Sequence, residues 1–249
     1  MKIPQIFVIS LACSTARQDL FGERNNSVGF DYQFFDGIDG CELWDVLKKS
    51  SRVARAWSDG WGKGAIGAGL SHIMLWKKCI ELDAPIIVLE DDVFVSDGFL
   101  TVLEGLPSVE MGTHDFILFG WNFDSALKAE LLPGVEFTSL FDPAFPDSYV
   151  IRSLFSSVDE RKLCVLSKAL GLPGYLLTPS GATKLLNGIP SFVAEPLCVG
   201  RGIPQVPCLT LDAQMNRLYP EMRSYVMVPP AVIAENDKSR SQTSPRHFG

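Results

Sequence analysis

Ile86-Ile87-Val88-Leu89-Glu90-Asp91-Asp92-Val93-Phe94-Val95 runs four apolar residues straight into three carboxylates and then turns apolar again. A continuous apolar run of this length, rich in Ile and Val, reads as a strand buried on both faces in a mainly parallel sheet. Adjacent acids at the end of such a strand repel one another, and withdrawing them from water is costly unless a positive charge sits among them. A divalent cation is the simplest compensation, because carboxylate oxygens are the ligands that Mg2+ and Mn2+ prefer. If the strand stays extended through the acids, Glu90 and Asp92 share one face, as a metal-ligand pair, and Asp91 takes the other. They lie beyond the carboxyl end of the strand, where open α/β sheets hold their ligands. The alternative is a solvated acidic turn, with Asp91-Asp92 as turn residues and Ser96-Asp97-Gly98 as the loop before the next helix.

Upstream, Ile6 to Leu11 reads as the first strand of an α/β domain, and Ser14 or Thr15 as the cap of the helix after it. Arg17 then falls in the first helical turn, where a cation opposes the helix dipole and needs a partner. A phosphate at the strand-to-helix junction supplies one; the alternative is an ion pair with Asp19 or Glu23. The chain has no GxGxxG and no Walker lysine motif, which excludes the usual dinucleotide and P-loop sites. Tyr32 to Phe35 reads as a second strand, ending in Asp36-Gly37. Asp36 is thereby set at the same sheet edge as Arg17, a position where a ribose or base could be held. The glycine-rich stretch Gly60 to Gly69 feeds an amphipathic helix with Leu70, Ile73, Met74, Lys77 and Ile80 setting the period and Ser71-His72 at its start. His72 reads either as a packed residue or as a ligand.

Downstream, Phe99 to Leu106 gives a short helix and His114 to Gly120 another buried strand. The strand ends in Trp121-Asn122, an aromatic and an amide of the kind that sugar sites use; the alternative is a core tryptophan. Weak periodicity between Asp124 and Leu163 marks 123–165 as a lid or acceptor-binding insertion. Gly174 to Leu177 resumes the sheet, and Thr178 caps a helix with Pro179 in its first position and a stop at Asn187-Gly188. Leu209 to Asp212 leads from a strand into a helix, with Asp212 either a cap or a catalytic carboxylate. A last extended piece, Tyr225 to Ile233, is broken by Pro229-Pro230. The tail 236–249 carries Lys238, Arg240, Arg246 and His247; it either folds over a diphosphate or is a solvated end.

Composition narrows the function classes. At 249 residues and 47% hydrophobic content the chain is long enough for one large domain, 1–249. A net charge of -7 argues against a nucleic-acid partner and against a polybasic membrane binder. No run is long enough to span a bilayer and the Met1-Lys2-Ile3-Pro4 start lacks a signal-peptide layout, so a cytoplasmic location is expected. The six cysteines form no CxxC and no Cys/His cluster, which suits reduced thiols and not a zinc site.

Together these pieces resemble glycosyltransferase family 25, which includes lipooligosaccharide and collagen galactosyltransferases. The resemblance is carried by the first strand with Arg17, by Gly67-x-x-x-Ser71-His72-x-x-x-Trp76 and by Ile87 to Asp92. It continues through Gly174 to Ala182, Leu211-Asp212, and Pro230 to Thr243 with Asn236-Asp237 and Ser239. Two departures stand out. Ala65-Ile66-Gly67-Ala68 replaces the family's frequent Glu-Ile-Gly-Cys, and the segment from Phe123 to Leu163 matches nothing in the pattern. The resemblance implies a GT-A-like α/β fold, a UDP-sugar donor (commonly UDP-galactose), Mn2+ or Mg2+, inversion to a β-linkage, and an oligosaccharide or glycolipid acceptor. A lipid-linked acceptor in turn implies peripheral contact with the inner face of a membrane. On this reading Asp92 is the main metal ligand with Glu90 in support. Arg17, Asp36, His72, Asp91 and Ser239 bind the donor, Trp121 and Asn122 the acceptor, and Asp212 is the general base, with Asp147 and Glu195 as rivals. The readings set against it are a degenerate family member that binds nucleotide or glycan without catalysis, and a metal-dependent phosphohydrolase.

Overall fold

The computed structural model describes residues 3–106, 114–158, 160–189 and 195–235. Its elements run β1 (Gln5–Ser10), α1 (Thr15–Asn25), β2 (Gln33–Asp36), α2 (Trp44–Leu47), α3 (Ser51–Ser58), α4 (Lys63–Leu82), β3 (Ile86–Glu90), β4 (Val93–Val95) and α5 (Phe99–Gly105). There follow β5 (Phe116–Leu118), β6 (Leu127–Leu132), β7 (Val135–Ser139), α6 (Ser148–Ser156), β8 (Lys162–Lys168), β9 (Gly174–Leu177), α7 (Pro179–Gly188), α8 (Leu211–Met215), β10 (Ser224–Val228) and β11 (Val232–Ala234). Nine strands form one sheet in the order β2-β1-β3-β9-β5-β10-β8-β6-β7, and β4 pairs with β11 apart from it.

The expected α/β sheet is present, and its parallel part is β2-β1-β3 together with β5-β10. The sheet as a whole is mixed, because β9 runs antiparallel between β3 and β5 and the β8-β6-β7 edge is antiparallel throughout. The continuous apolar run in β3 has a direct cause. Ile86 and Val88 enter the core that α4 and α7 cover, while Ile87 and Leu89 enter the core beneath α1 and α5. Each face of the strand is buried by its own helical layer.

Two expectations are corrected. Helix α4 begins inside the glycine run, so Ser71 and His72 sit in its middle, and Met74 and Ile80 face solvent while His72 and Trp76 are buried. The glycines serve close packing: a Cβ on Gly67 would lie 2.3 Å from the Ile38 carbonyl oxygen. One turn on, the Ser71 hydroxyl accepts from Ile38 N–H at 2.8 Å. The second correction concerns 124–163, which holds β6, β7, α6 and the start of β8 where an irregular loop was expected. The alternation in Leu127-Lys128-Ala129-Glu130, buried and half-buried in turn, is a strand signal too short to stand out against the surrounding Phe, Pro and Ser.

At the amino end of β5, opposite the acidic turn, Asp115 is fully buried. It accepts from Lys184 Nζ at 2.6 Å, Ser180 Oγ at 3.0 Å and Arg223 N–H at 2.9 Å, which joins α7 and β10 to β5. Burial raises its pKa, but these donors outweigh burial and hold the carboxyl down at about 2. A carboxyl depressed in this way contributes stability that is complete above about pH 4 and is lost as the pH falls through about 2. Asp115→Ala is expected to cost about 2 kcal/mol at neutral pH, seen as a melting temperature lower by roughly 4–8 °C. An unchanged melting curve would remove Asp115 as a tie between the elements.

Candidate active site

The register of the parallel strands assembles the site. Ile9 pairs with Glu90 and Ser10 with Asp36, so Ser10, Asp36 and the acidic turn share the carboxyl edge of β1, β2 and β3. The strand does not stay extended through the acids. It stops at Glu90, and Asp91-Asp92 form the turn into β4, which pairs with β11 outside the main sheet. Alternation therefore does not set the directions of the three carboxylates; each is fixed by its own partner.

Asp91 is buried and held on both oxygens, by Ser10 Oγ at 2.7 Å and by Arg17, whose Nε donates at 2.9 Å and whose Nη2 also pairs with it. The same Nη2 lies 3.3 Å from Asp92 Oδ2. Arg17 thus finds its partners in the acidic turn, not in Asp19 or Glu23, and supplies a positive charge among the acids from within the chain. Burial pulls the guanidinium down, but Asp91 and Asp92 outweigh burial and hold it above its ordinary value. Asp92 is less well served. Burial, and then the neighbouring Glu90, push its carboxyl up to about 6 against the pull of Arg17. Its Oδ1 is buried with no hydrogen-bond partner among the described residues.

The turn is also gripped through its backbone. The Asp92 carbonyl accepts from Glu235 N–H at 3.0 Å and from Arg24 Nη1 at 3.3 Å, and Arg24 forms an ion pair with Glu235. Asn25 donates to the Val93 carbonyl and accepts from Val95 N–H, docking α1 along β4. Ala16, Arg17, Leu20, Arg24, Asp92 and Glu235 surround a cavity of about 320 Å3. Arg24 and Glu235 were not singled out from the sequence. The signal for Arg24 was present, since it follows Arg17 by two helical turns and so shares its face.

Among the described residues no group of three or more His, Cys, Asp and Glu side chains forms a ready cage for a metal. The unspent Asp92 oxygen beside Glu90 does fit a hard cation that takes one or two carboxylates and completes its shell with substrate oxygens and water. Glu90 is contacted from behind by His72 Nε2 at 3.5 Å. His72 Nδ1 in turn lies 2.9 Å from the Tyr175 hydroxyl, which accepts from Trp76 Nε1 at 3.1 Å.

A short segment before β9 ties the remaining candidates together. Glu90 N–H donates to the Pro173 carbonyl at 3.0 Å and Asn122 N–H to the Leu170 carbonyl at 2.9 Å. Gly171 N–H donates to Asp212 Oδ2 at 2.6 Å. Asp212 therefore does not cap its own helix: Thr210 is the N-cap residue, and the Asp212 side chain reaches across to Gly171. Gly171 has φ +88°, and a Cβ there would meet Asn122 Oδ1 at 2.3 Å, so glycine is needed for both reasons. Of the rivals to Asp212, Asp147 caps α6 by accepting from Val150 N–H at 2.8 Å, and Glu195 pairs with Arg217 at 3.2 Å. Asp36 accepts from Ala12 N–H at 3.0 Å and so fixes the turn between β1 and α1. Trp121 is buried against Phe123 and Phe141, with ring centroids 5.7 and 5.3 Å away, and walls a second cavity of about 460 Å3. Ser239 and the tail 236–249 lie outside the described residues.

Comparison with known proteins adds an independent line. The sequence model described as Glycosyltransferase family 25 (LPS biosynthesis protein) matches residues 3–197. A Glycosyltransferase 25 family member of Anopheles gambiae is 28% identical over 130 residues, covering 48% of this chain and 22% of that protein. One from Aedes aegypti is 29% identical over 130 residues, covering 48% of this chain and 21% of its own length. The lipooligosaccharide biosynthesis protein lic2B of Haemophilus influenzae is 30% identical over 117 residues, covering 45% of this chain and 43% of that protein. The matched part is less than half the length of each of these relatives. The mixed α/β sheet with flanking helices is consistent with a GT-A-like glycosyltransferase fold.

The strained position of Asp92 has a measurable signature. An acid whose folded pKa is raised destabilises the fold once the pH passes its unfolded value near 4, and the cost is complete above about 6. Asp92→Asn is expected to raise the melting temperature by about 2–4 °C at neutral pH and to leave it unchanged near pH 3.5. A lower melting temperature at neutral pH would show that the attraction to Arg17 exceeds the cost of burial.

Proposed function

Because the chain belongs to glycosyltransferase family 25, we propose that it is a metal-dependent, inverting transferase moving a hexose from a UDP-sugar to a cell-surface glycan. Galactose is the sugar proposed first, and a lipooligosaccharide is the acceptor that the name of the Haemophilus relative suggests. The observation that carries the reading is the acidic turn at the carboxyl edge of β3, where Asp92 keeps one buried oxygen unspent while Arg17 contacts the other and Glu90 raises its pKa.

In this reading Asp92 and Glu90 would hold Mn2+ or Mg2+, and the ion would neutralise the charge that develops on the departing diphosphate. Asp91 is fully engaged by Arg17 and Ser10, so it serves the donor by fixing the guanidinium next to the diphosphate. Asp36, exposed at the end of β2, takes the ribose side, and Ser239 belongs to the donor side as well. Asp212 accepts the proton of the acceptor hydroxyl as that oxygen bonds to the anomeric carbon. The bond from that carbon to the diphosphate breaks on the opposite face, and UDP leaves with its electron pair. The Gly171 N–H on Oδ2 leaves the other Asp212 oxygen for the proton. Trp121 and Asn122 border the acceptor side, and Trp121 also walls the larger cavity.

A lipid-linked acceptor would bring the enzyme to a membrane surface. No helix among the described residues is long and apolar enough to cross a membrane, so peripheral contact is the mode proposed. A second reading is a binding-only family member, and it too has an observation in its favour: Ala65 stands where the family often carries an acid, and it is buried in α4.

UDP release from UDP-galactose, UDP-glucose and UDP-N-acetylglucosamine, with Mn2+ and with EDTA, separates these readings. Turnover is expected with UDP-galactose and Mn2+ alone, and Asp92→Ala is expected to lower it by about 10²–10³-fold. Undiminished turnover in EDTA would remove the metal from the mechanism. UDP binding with no transfer or hydrolysis from any donor would favour the binding-only reading.

A further inference from the structure

Helix α4 and strand β9 contribute a chain of buried polar groups that ends on Glu90. Trp76 Nε1 is a donor with no acceptor capacity, so at 3.1 Å it can only donate to the Tyr175 oxygen. Tyr175 is fully buried, and burial raises its pKa, so the phenol keeps its single proton. That proton needs an acceptor, and the group within reach is His72 Nδ1 at 2.9 Å. If Nδ1 carried a hydrogen, two donors would converge on the phenol oxygen and the phenol's own proton would be left unpaired in the core, which costs about 1–3 kcal/mol. The arrangement that pairs every group has the tyrosine donating to Nδ1. A neutral ring then bears its proton on Nε2, and Nε2 is the nitrogen that faces Glu90 Oε1 at 3.5 Å.

We propose that Tyr175, backed by Trp76, is a positioning residue. It sets the tautomer of His72 so that the ring presents an N–H to Glu90 and holds that carboxylate at the mouth of the donor site. The inference deepens the transferase reading and rests on it for the word donor. The geometry of the chain stands without it. Glu90 is the partly exposed end of the chain, with a side chain 35% accessible, whereas His72 is 4% accessible. A long carboxylate side chain left to itself samples several rotamers. His72 restrains one oxygen from below and leaves the other to the ligand. The spacing of the motif follows from this division of labour. Gly67 and Ser71, one turn apart on α4, seat the loop at Ile38, while His72 and Trp76, one turn apart on the neighbouring face, both reach Tyr175.

The test has a readout that needs no turnover. The chain contains three histidines, so nitrogen NMR of the imidazole rings, assigned with His72→Asn, reads the His72 tautomer directly. At a pH where the ring is neutral, the wild type is expected to be a single tautomer protonated on Nε2, and Tyr175→Phe to give a mixture of the two. A wild-type ring protonated on Nδ1 overturns the proposal, as does a tautomer unaffected by Tyr175→Phe. Two further variants separate positioning from packing. The amide nitrogen of glutamine overlays Nε2, and the amide of asparagine overlays Nδ1. His72→Gln is expected to keep UDP affinity within about threefold of wild type, and His72→Asn to lose about tenfold, the worth of one charge-assisted contact. The reverse order would assign His72 to satisfying Tyr175 alone. If UDP binds but no sugar is transferred by the wild type, the transferase reading fails while the tautomer and affinity results still decide this one.

Discussion

The pairing of Arg17 with Asp91 is the contact on which the rest of this site depends. Three consecutive carboxylates at the end of a buried strand cannot be carried into a fold unless something answers their charge. Here the answer is divided. Arg17 takes Asp91 on two nitrogens with Ser10 in support, and His72 stands behind Glu90. Of the three, Asp92 is the one left with a buried oxygen unserved and a carboxyl pushed up to about 6. One acid is thus left undermatched while its neighbours are answered, a pattern expected where charge is held for a ligand and not for stability. Because Arg17 lies on α1 and the acids on the turn into β4, the same contact also fixes how α1 lies across the edge of the sheet.

The molecule separates its two tasks along the length of the strands. At the amino end of β5, Asp115 is matched by Lys184, Arg223 and Ser180, and its pKa falls to about 2. At the carboxyl end of β3, Asp92 is undermatched and its pKa rises. Two aspartates at opposite ends of one sheet are moved in opposite directions by their surroundings alone. The first ties elements together; the second keeps a buried oxygen with no hydrogen-bond partner among the described residues.

Much of the fold was legible because the relevant signals are local. β1, β2, β3, β9 and β10 were read from their apolar runs, and α7 from Thr178 followed by Pro179, a cap whose hydroxyl does accept from Gly181 N–H. What was not legible depends on contacts distant in sequence. The start of α4 was misread because its glycines look like a loop, whereas they admit the chain at Ile38 and Gly40 to within contact of the helix. The antiparallel course of β9 leaves no mark on Gly174 to Leu177, which is buried on both faces like its parallel neighbours. At the site, the acids and Arg17 were found, but their pairing was not, since nothing near Arg17 in sequence announces a partner 74 positions away. The glutamate at 235 was invisible for the same reason, its arginine partner lying 211 positions upstream.

The four residues from Leu170 to Pro173 hold Glu90, Asn122 and Asp212 by one backbone contact each. On the proposed reading, in which Asp212 is the base and Asn122 borders the acceptor, this one crosspiece spaces both from the acidic turn. The segment from Phe123 to Leu163 is anchored apart from that crosspiece, by Leu127 and Ala129 in the sheet core and by Ile151 against Phe94 and Ile233. Exposed positions on that segment, such as Leu131 and Tyr149, can therefore change without altering the spacing of the three groups that Leu170 to Pro173 hold.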